Sequence, residues 1–311
     1  MNRRDSLLAA LVAVVWGLNF VVIDRGMGEV PPLLFLALRF AAVVFPAALL
    51  VPRPSAPWRV VVTVGLLMSL GQFAFLYLSL AAGMPPGLAA LVLQAQVVVT
   101  VVVAAAALRE LPTPTQAVGV VVGTVGLGVV ALGRGGQVSL LALGLCLLAA
   151  LSWGVGNVVS RASGVRGGLS LTVWSGLVVP VPLLLASLLL DGPAAVVAGL
   201  GTFGWAAALS TLYTAGLASL VGYGIFNTLL SRNPSSAVVP WIMLVPVVAM
   251  VSAWLLLQQR PGTAEVLGGV VMITGVLLAL RPPARGSLRA HRSTQAQRSA
   301  QARGRTSVRR P

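Results

Sequence analysis

The sequence predicts an all-α integral membrane protein with ten transmembrane helices in two inverted five-helix repeats. Three observations lead to this fold class. Of the 311 residues, 58% are hydrophobic and only 9% are charged, whereas soluble domains carry about 25% charged residues. The chain also contains ten apolar runs of spanning length, and several of these runs match one another at a constant offset. The composition therefore argues against a water-soluble fold.

The predicted spans are the apolar runs long enough to cross a membrane. An α-helix needs roughly 17 to 25 apolar residues to cross about 30 Å of hydrocarbon. Turn residues such as Met84-Pro85-Pro86 and Asn233-Pro234 end several of the runs. Because the connections are short, we expect a compact bundle with little structure outside the membrane. In chain order the predicted spans cover residues 7–23, 32–51, 60–82, 87–108, 115–132, 140–159, 169–190, 203–230, 237–257 and 263–280.

The distribution of arginine predicts how these spans are oriented. The net charge of +15 comes from 21 arginines, with no lysine, against six carboxylates. With a cytoplasmic N-terminus, 17 arginines lie on the cytoplasmic side, and only Arg25, Arg134 and Arg260 lie outside. Positive charge collects in the cytoplasmic loops of membrane proteins. Both termini are therefore predicted to be cytoplasmic.

An internal repeat divides the predicted spans into two halves. At an offset of 150 residues, Ser69-Leu70 aligns with Ser219-Leu220 and Gly119-Val120-Val121 aligns with Gly269-Val270-Val271. At an offset of 137, Trp16-Gly17 falls on Trp153-Gly154. Because five is odd, the halves must have opposite orientations in the membrane, an arrangement typical of secondary transporters. The predicted units are a first five-helix repeat (1–136), a second (137–280) and a tail (281–311).

Simple counting excludes several kinds of chemistry. One cysteine and one histidine cannot supply the Cys/His clusters of zinc sites. The histidine, His291, lies in the polar tail, away from the apolar body. The spans also lack a convergent acid and base. We therefore predict no cofactor, no metal and no enzymatic activity.

Several stretches of the chain are similar to the EamA family of the drug/metabolite transporter superfamily. They include VVWGLNFVVI (14–23), QFAFLYLSLAAGMPPGLAALVLQAQ (72–96), LSWGVGN (151–157) and VGYGIFNTLL (221–230). Within the family, the sequence most resembles bacterial exporters of O-acetylserine and cysteine. The resemblance implies a ten-helix secondary transporter of the bacterial inner membrane that exports small amino-acid metabolites by alternating access. An exporter or importer of other small solutes, such as aromatic amino acids, drugs or nucleosides, remains the alternative.

Arg39 is the only ionisable residue well inside a predicted span. An arginine in hydrocarbon costs about 2.5 to 3.5 kcal/mol on insertion scales, so its presence indicates a functional role. Two interpretations are open. Arg39 pairs with a substrate carboxylate, or it bonds to helix-end carbonyls or to Asp24 near the outer surface.

Uncharged polar and aromatic residues within the spans form the rest of the predicted substrate site. Side-chain amides in apolar helices bond either to a substrate or to a neighbouring helix. Aromatic side chains either line a pathway or simply pack. The candidates are Trp16, Asn19, Gln72, Gln94, Gln96, Trp153, Asn157, Trp174 and Tyr223.

Three further residues are candidates for gating or coupling. Pro240 and Pro246 remove helical hydrogen bonds in the ninth predicted span and are expected to kink it. Glu110, at the cytoplasmic end of the fourth span, is the candidate for proton coupling.

The tail and the helix surfaces predict the remaining partners. Residues 281–311 contain nine arginines and no acid, so we expect a disordered segment that contacts anionic lipid headgroups. Without interleaved aromatic residues it does not resemble a nucleic-acid-binding segment. The stripe formed by Gly119, Gly123 and Gly126 predicts close helix packing, either within the monomer or in a homodimer.

Overall fold

The computed structural model describes residues 1–109, 112–133, 138–164, 168–233 and 235–281. Within these ranges the regular secondary structure is entirely helical, as the sequence predicts. Eight helical stretches there are long and apolar enough to cross a membrane, and two further apolar helices are shorter. The protein is therefore an all-α, multi-pass membrane protein.

Sixteen α-helices and two π-helical segments make up the described part of the chain. In order they are α1 (Arg3–Met27), α2 (Pro32–Leu50), α3 (Trp58–Val64), π1 (Gly65–Gly71), α4 (Gln72–Ala81), α5 (Pro86–Val92), α6 (Ala95–Leu108), α7 (Pro114–Gly133), α8 (Leu140–Ala162), α9 (Gly168–Gly176), α10 (Pro180–Leu190), α11 (Pro193–Gly201), α12 (Trp205–Leu212), π2 (Tyr213–Gly222), α13 (Tyr223–Arg232), α14 (Ser235–Ile242), α15 (Leu244–Leu257) and α16 (Thr263–Ala279).

Local sequence explains where many of these helices begin. Proline occupies the first helical position of α2, α5, α10 and α11, where the missing N–H has no intrahelical acceptor to lose. Polar caps begin two of the long helices: the side chains of Asn2 and Ser139 accept hydrogen bonds from the backbone N–H groups of Asp5 and Ala142.

Helix α11 is not among the predicted elements. The predicted spans leave residues 191–202 as a connection, but nine of these residues, Pro193–Gly201, form a helix. Pro193 starts the helix, and Gly199 lies against Pro31 at the beginning of α2. A nine-residue apolar helix is too short to span a membrane, so a search for spans does not reveal it.

The two π-helical segments lie within continuous rods. Segment π1 joins α3 to α4, and π2 joins α12 to α13. Shifted by 150 residues, Gly65–Gly71 falls on residues 215–221, which lie inside Tyr213–Gly222. The wider turn of a π-helix often occurs at functional positions. Both segments therefore identify places where side chains are aimed differently from those of a regular α-helix.

Two breaks in other helical rods are also separated by about 150 residues in the sequence. A turn at Leu93 and Gln94 separates α5 from α6, and Met243 separates α14 from α15. The second break lies three residues after Pro240 and three before Pro246. The helices α6 and α15 also end alike, at left-handed residues Arg109 (φ 55°) and Gln258 (φ 59°).

Helices α7 and α16 pack closely through facing glycines. The predicted stripe on α7 lies against the backbone of α16: Gly119 and Gly123 meet Gly275, and Gly126 meets Gly268 and Met272. A Cβ atom at Gly119, Gly126 or Gly275 would clash with the opposing backbone. The stripe therefore serves packing within the monomer.

The apolar core is concentrated at one end of the bundle. The largest cluster of buried side chains includes Ile23 and Met27 at the end of α1, Phe35 at the start of α2, Leu80 near the end of α4 and Cys146 in the first half of α8. Smaller clusters occupy the opposite end. This distribution leaves room between the helices at the end opposite the largest cluster.

Candidate functional site

A cavity of about 230 Å³ lies between α2, π1, α4, α8, α9, π2 and α13, and Arg39 is in its wall. Arg39 is only 4% exposed. The cavity thus holds a buried cation within the membrane-spanning part of the molecule.

Arg39 is held by neutral oxygen acceptors. Its guanidinium donates one hydrogen bond to the Tyr77 hydroxyl (3.1 Å) and a longer one to the Ser219 hydroxyl (3.5 Å). Among the described residues, neither a helix-end carbonyl nor Asp24, the partners considered from the sequence, accepts a hydrogen bond from Arg39. Within the described part of the chain, no carboxylate pairs with Arg39, so its positive charge lacks an anionic partner there.

Aromatic rings surround the same guanidinium. Its central carbon lies 4.6 Å from the Phe73 ring centroid, 5.5 Å from Phe40 and 5.8 Å from Tyr77. Cation–π attraction at such distances contributes about 0.5 to 2 kcal/mol. The rings stabilise the charge without neutralising it, which leaves it able to attract an anion.

One side of Arg39 is closed by a layer of aromatic side chains, which we call the sealed layer: Phe35, Tyr77 and Phe203. Phe35 and Tyr77 are fully buried. The ring of Phe35 lies 6.1 Å from that of Tyr77 and 6.2 Å from that of Phe203, between centroids. Phe203 follows α11, so the unpredicted helix helps to place this third ring. The sealed layer belongs to the large core cluster.

The cavity extends from Arg39 in the opposite direction. Its wall includes Val43 and Val44, which are farther along α2, Ser160 near the end of α8, and Leu169 at the start of α9. Arg53, Arg59 and Arg161 lie at this end of the bundle. This is the end that the arginine distribution predicts to be cytoplasmic.

Four of the predicted substrate-site residues line the cavity together: Arg39, Gln72, Trp153 and Tyr223. They come from α2, α4, α8 and α13, so the fold brings together residues distant in sequence. Asn227 also lines the cavity. Its Nδ2 atom is buried and has no hydrogen-bond partner among the described residues.

Gln96 and Asn157 are placed elsewhere. The Asn157 amide donates to Gln96 Oε1 (2.9 Å) and to the Thr100 hydroxyl (3.4 Å). These bonds join α6 to α8 outside the cavity wall. Their geometry is that of an interhelical contact.

Trp16 and Asn19 lie behind the cavity wall. The Trp16 indole donates to the Ala218 carbonyl in π2 (2.9 Å), and its ring packs on Tyr223 and Phe226. Asn19 is one turn farther along α1, and its Oδ1 atom is buried without a partner among the described residues. Trp16 therefore supports two aromatic rings of the wall rather than lining the cavity.

The remaining candidates lie at other positions. Trp174 donates to the Val51 carbonyl (3.0 Å) and lies beside Trp58 at the end of the bundle. Gln94 is buried in the turn between α5 and α6. Pro246 is in the first turn of α15 and Pro240 is in α14. Glu110 lies outside the described residues.

Sequence reasoning missed several residues around Arg39. Phe73, Tyr77 and Ser219 contact it directly, yet none is among the candidates. Phe73 and Tyr77 are one turn apart on α4, a spacing that also fits ordinary packing. Ser69 and Ser219, which both line the cavity, were visible as a pair in the 150-residue repeat, and this was the available signal.

The described helices thus form a multi-pass bundle that encloses a small cavity with a buried arginine in its wall. The chain matches the EamA-like transporter family over residues 5–132 and 140–281. It belongs to this family. The family and its members point to a transporter rather than an enzyme.

Two relatives are similar over most of their length. A probable amino-acid metabolite efflux pump of Escherichia coli (strain K12) is 42% identical over 284 residues, covering 89% of this chain and 95% of the relative. A protein of the same description from Salmonella typhimurium is 40% identical with the same coverage. A solved crystal structure, at 20% identity, shares the fold with a TM-score of 0.62 over 90% of this chain and 97% of the other.

Proposed function

We propose that the protein is a secondary transporter of the bacterial inner membrane that exports small amino-acid metabolites similar to O-acetylserine and cysteine. The observation that carries this proposal is the unneutralised Arg39 in a small cavity. A carboxylate is the natural ligand of this group, since guanidinium binds it through two parallel hydrogen bonds. The relatives described as amino-acid metabolite efflux pumps support the same substrate class.

The rest of the wall suits a small, partly polar solute. Ligand pockets commonly have volumes of about 300 to 1,000 Å³, so a cavity of about 230 Å³ favours a small metabolite over a nucleotide-sugar. Ser69, Gln72 and Asn227 offer uncharged hydrogen-bonding groups. Trp153 and Phe226 offer apolar surface for a short side chain.

The direction of export is supported by the position of the cavity. It extends toward the end of the bundle predicted to be cytoplasmic, while the sealed layer closes the other end. A metabolite entering from the cytoplasm reaches Arg39 before it reaches the sealed layer. Opening of the sealed layer and closure of the cytoplasmic side then release it outside, as alternating access requires.

We further propose ten spans in two inverted halves. The eight long helical stretches provide eight of these spans. Helices α14 and α15, which together cover most of residues 235–257, provide the ninth, and α16 provides the tenth. The 17 residues of α16 extend about 26 Å at 1.5 Å per residue. Three features support the repeat: π1 shifted by 150 residues falls within π2, Arg109 and Gln258 end their helices alike, and the family matches the two halves separately.

Gating and coupling complete the proposal. The breaks at Gln94 and Met243 interrupt two helical rods and are suitable points for bending, with Pro240 and Pro246 weakening the second rod. Glu110 remains the proposed proton-coupling residue. Contact of the tail with lipid headgroups is likewise proposed.

A panel of exported metabolites tests the proposed substrate class. A bacterial host expressing the wild-type protein, Arg39→Gln or Arg25→Gln is compared with a host carrying an empty vector, and solutes in the medium are measured. Arg25 is the control because it is exposed and, among the described residues, donates its hydrogen bond to the Leu256 carbonyl, away from the cavity. We expect O-acetylserine and cysteine to accumulate with the wild type and Arg25→Gln.

The same panel is designed to contradict the proposal. It includes aromatic amino acids, nucleosides and dyes, and protein in the membrane fraction is quantified for every variant. Accumulation of only uncharged solutes, or full export by Arg39→Gln at equal expression, would rule out a carboxylate site at Arg39.

A further inference from the structure

We infer that Tyr77 is a positioning residue that links carboxylate binding at Arg39 to opening of the sealed layer. The inference rests on the proposed carboxylate site and adds how binding there is transmitted. Its starting point is that Arg39 lines the cavity whereas its partner Tyr77 does not.

Tyr77 has two connections within the protein. Its hydroxyl accepts from the Arg39 guanidinium at 3.1 Å, and its ring packs in the sealed layer beside Phe35. The side chain is 0% exposed. The same residue therefore touches the cation that faces the cavity and the rings that close the outer end.

The other acceptor for Arg39 holds it less firmly. The Ser219 hydroxyl is 3.5 Å away and already donates to the Thr214 carbonyl at 2.7 Å within π2. Hydrogen bonds weaken as the donor–acceptor distance increases beyond about 3.2 Å. In the closed arrangement, the bond to Tyr77 is thus the shorter connection of the guanidinium.

A carboxylate in the cavity competes for this bond. Charge-assisted bonds from arginine to a carboxylate are roughly twice as strong as neutral ones and are commonly bidentate. Two parallel bonds require the guanidinium to turn toward the ligand, away from the phenol. The Tyr77 hydroxyl is then buried without a partner, which destabilises the packing around it.

The consequence is a sealed layer that is stable when the cavity is empty and weakened when a carboxylate is bound. A transporter with this property opens outward mainly when loaded. An uncharged analogue of the same shape does not draw Arg39 away and leaves the layer closed.

The test measures opening with a cysteine reporter beyond the sealed layer. Leu80 is one turn after Tyr77 on α4 and is 4% exposed, so Leu80→Cys reacts with a maleimide only when the layer opens. The native Cys146 is fully buried, and a parallel sample without the reporter gives its background. The probes are O-acetyl-L-serine and its carboxamide, added to purified protein.

Three backgrounds are compared: wild type, Tyr77→Phe and Tyr213→Phe. Tyr77→Phe keeps the ring but removes the hydroxyl. Tyr213→Phe is the matched control, since its hydroxyl donates to the Val15 carbonyl away from Arg39. We expect O-acetyl-L-serine, but not the carboxamide, to accelerate labelling severalfold in wild type and Tyr213→Phe. In Tyr77→Phe no hydroxyl can be left without a partner, so labelling should stay slow without ligand and respond little to it.

Different failures have different meanings. A full response to O-acetyl-L-serine, or fast labelling without ligand, in monodisperse Tyr77→Phe would overturn the role of Tyr77 while leaving the carboxylate site intact. Equal binding of the acid and the carboxamide by the wild type, measured directly at equilibrium, would instead overturn the carboxylate site itself.

Discussion

Arg39 combines three properties that a lysine could not provide together at this position. Its planar guanidinium lies among the rings of Phe40, Phe73 and Tyr77, donates to two hydroxyls, and still has N–H groups available for a ligand. Its charge was identifiable from the sequence because any arginine within a span is costly. The rings and hydroxyls around it were not, because they arrive from helices far apart in the chain.

Gln96 and Asn157 were candidates for the substrate site, but the fold places them in a contact between helices. Amides within apolar spans suit a substrate site and an interhelical bond equally well, and only the fold distinguishes the two. The 2.9 Å bond between them joins α6 to α8. Gln72, a residue of the same type, lines the cavity instead.

Removing the Gln96–Asn157 contact should affect stability rather than transport. For Asn157→Ala we expect a loss of about 0.6 kcal/mol in unfolding free energy, the average measured for interhelical side-chain bonds in membranes, and at most about 1.7 kcal/mol. A double-mutant cycle with Gln96→Ala in detergent measures the coupling. A large increase in substrate KM with unchanged stability would show that the pair contacts substrate after all.

At the scale of helices, the long apolar rods follow from composition, but their irregularities do not. In π1, Gly65 lies close to the Ser175 carbonyl, and in π2, Gly222 lies against Trp16. Those contacts join distant parts of the chain. Helix α11 was missed for a simpler reason, since it is too short to be detected as a span.

The glycine contact between α7 and α16 gives a direct test of helix packing. A methyl group at Gly275 would lie against the backbone of Gly123, which cannot rotate away. We expect Gly275→Ala to lower the unfolding free energy by about 1 to 3 kcal/mol, the usual cost of overpacking. Thermal unfolding in detergent measures this effect.

Gly128 on α7 provides the matched control. A Cβ atom there meets no other group within 4 Å, so Gly128→Ala should leave the melting temperature unchanged or slightly raised. Equal effects of the two substitutions would mean that helix propensity, rather than the close contact, determines the result.

For the whole molecule, the distribution of arginines and the distribution of buried side chains both distinguish one end of the bundle from the other. Arginines lie mainly at the end toward which the cavity extends, while the large core cluster and the sealed layer occupy the other. The sequence predicts the arginine asymmetry directly. It does not predict which end is closed, because closure depends on how the helices pack.

Cysteine labelling tests the predicted orientation. The native Cys146 is buried, so an introduced cysteine should dominate the signal. Glu29 and Ser55 are both exposed, in the connections after α1 and α2. We expect an impermeant maleimide to label Glu29→Cys from outside intact cells and Ser55→Cys only after permeabilisation. The reverse pattern would place the cavity on the outer side and contradict export by the proposed route.

The most direct test of the central claim is the selectivity of transport in proteoliposomes. Uptake of labelled O-acetyl-L-serine is competed with unlabelled O-acetyl-L-serine or with its carboxamide, using wild type, Arg39→Lys and Arg39→Gln at equal protein density. If Arg39 binds the substrate carboxylate, the wild type should prefer the acid at least tenfold, Arg39→Lys should retain part of this preference, and Arg39→Gln should lose it. An unchanged preference for the acid in Arg39→Gln would contradict the account.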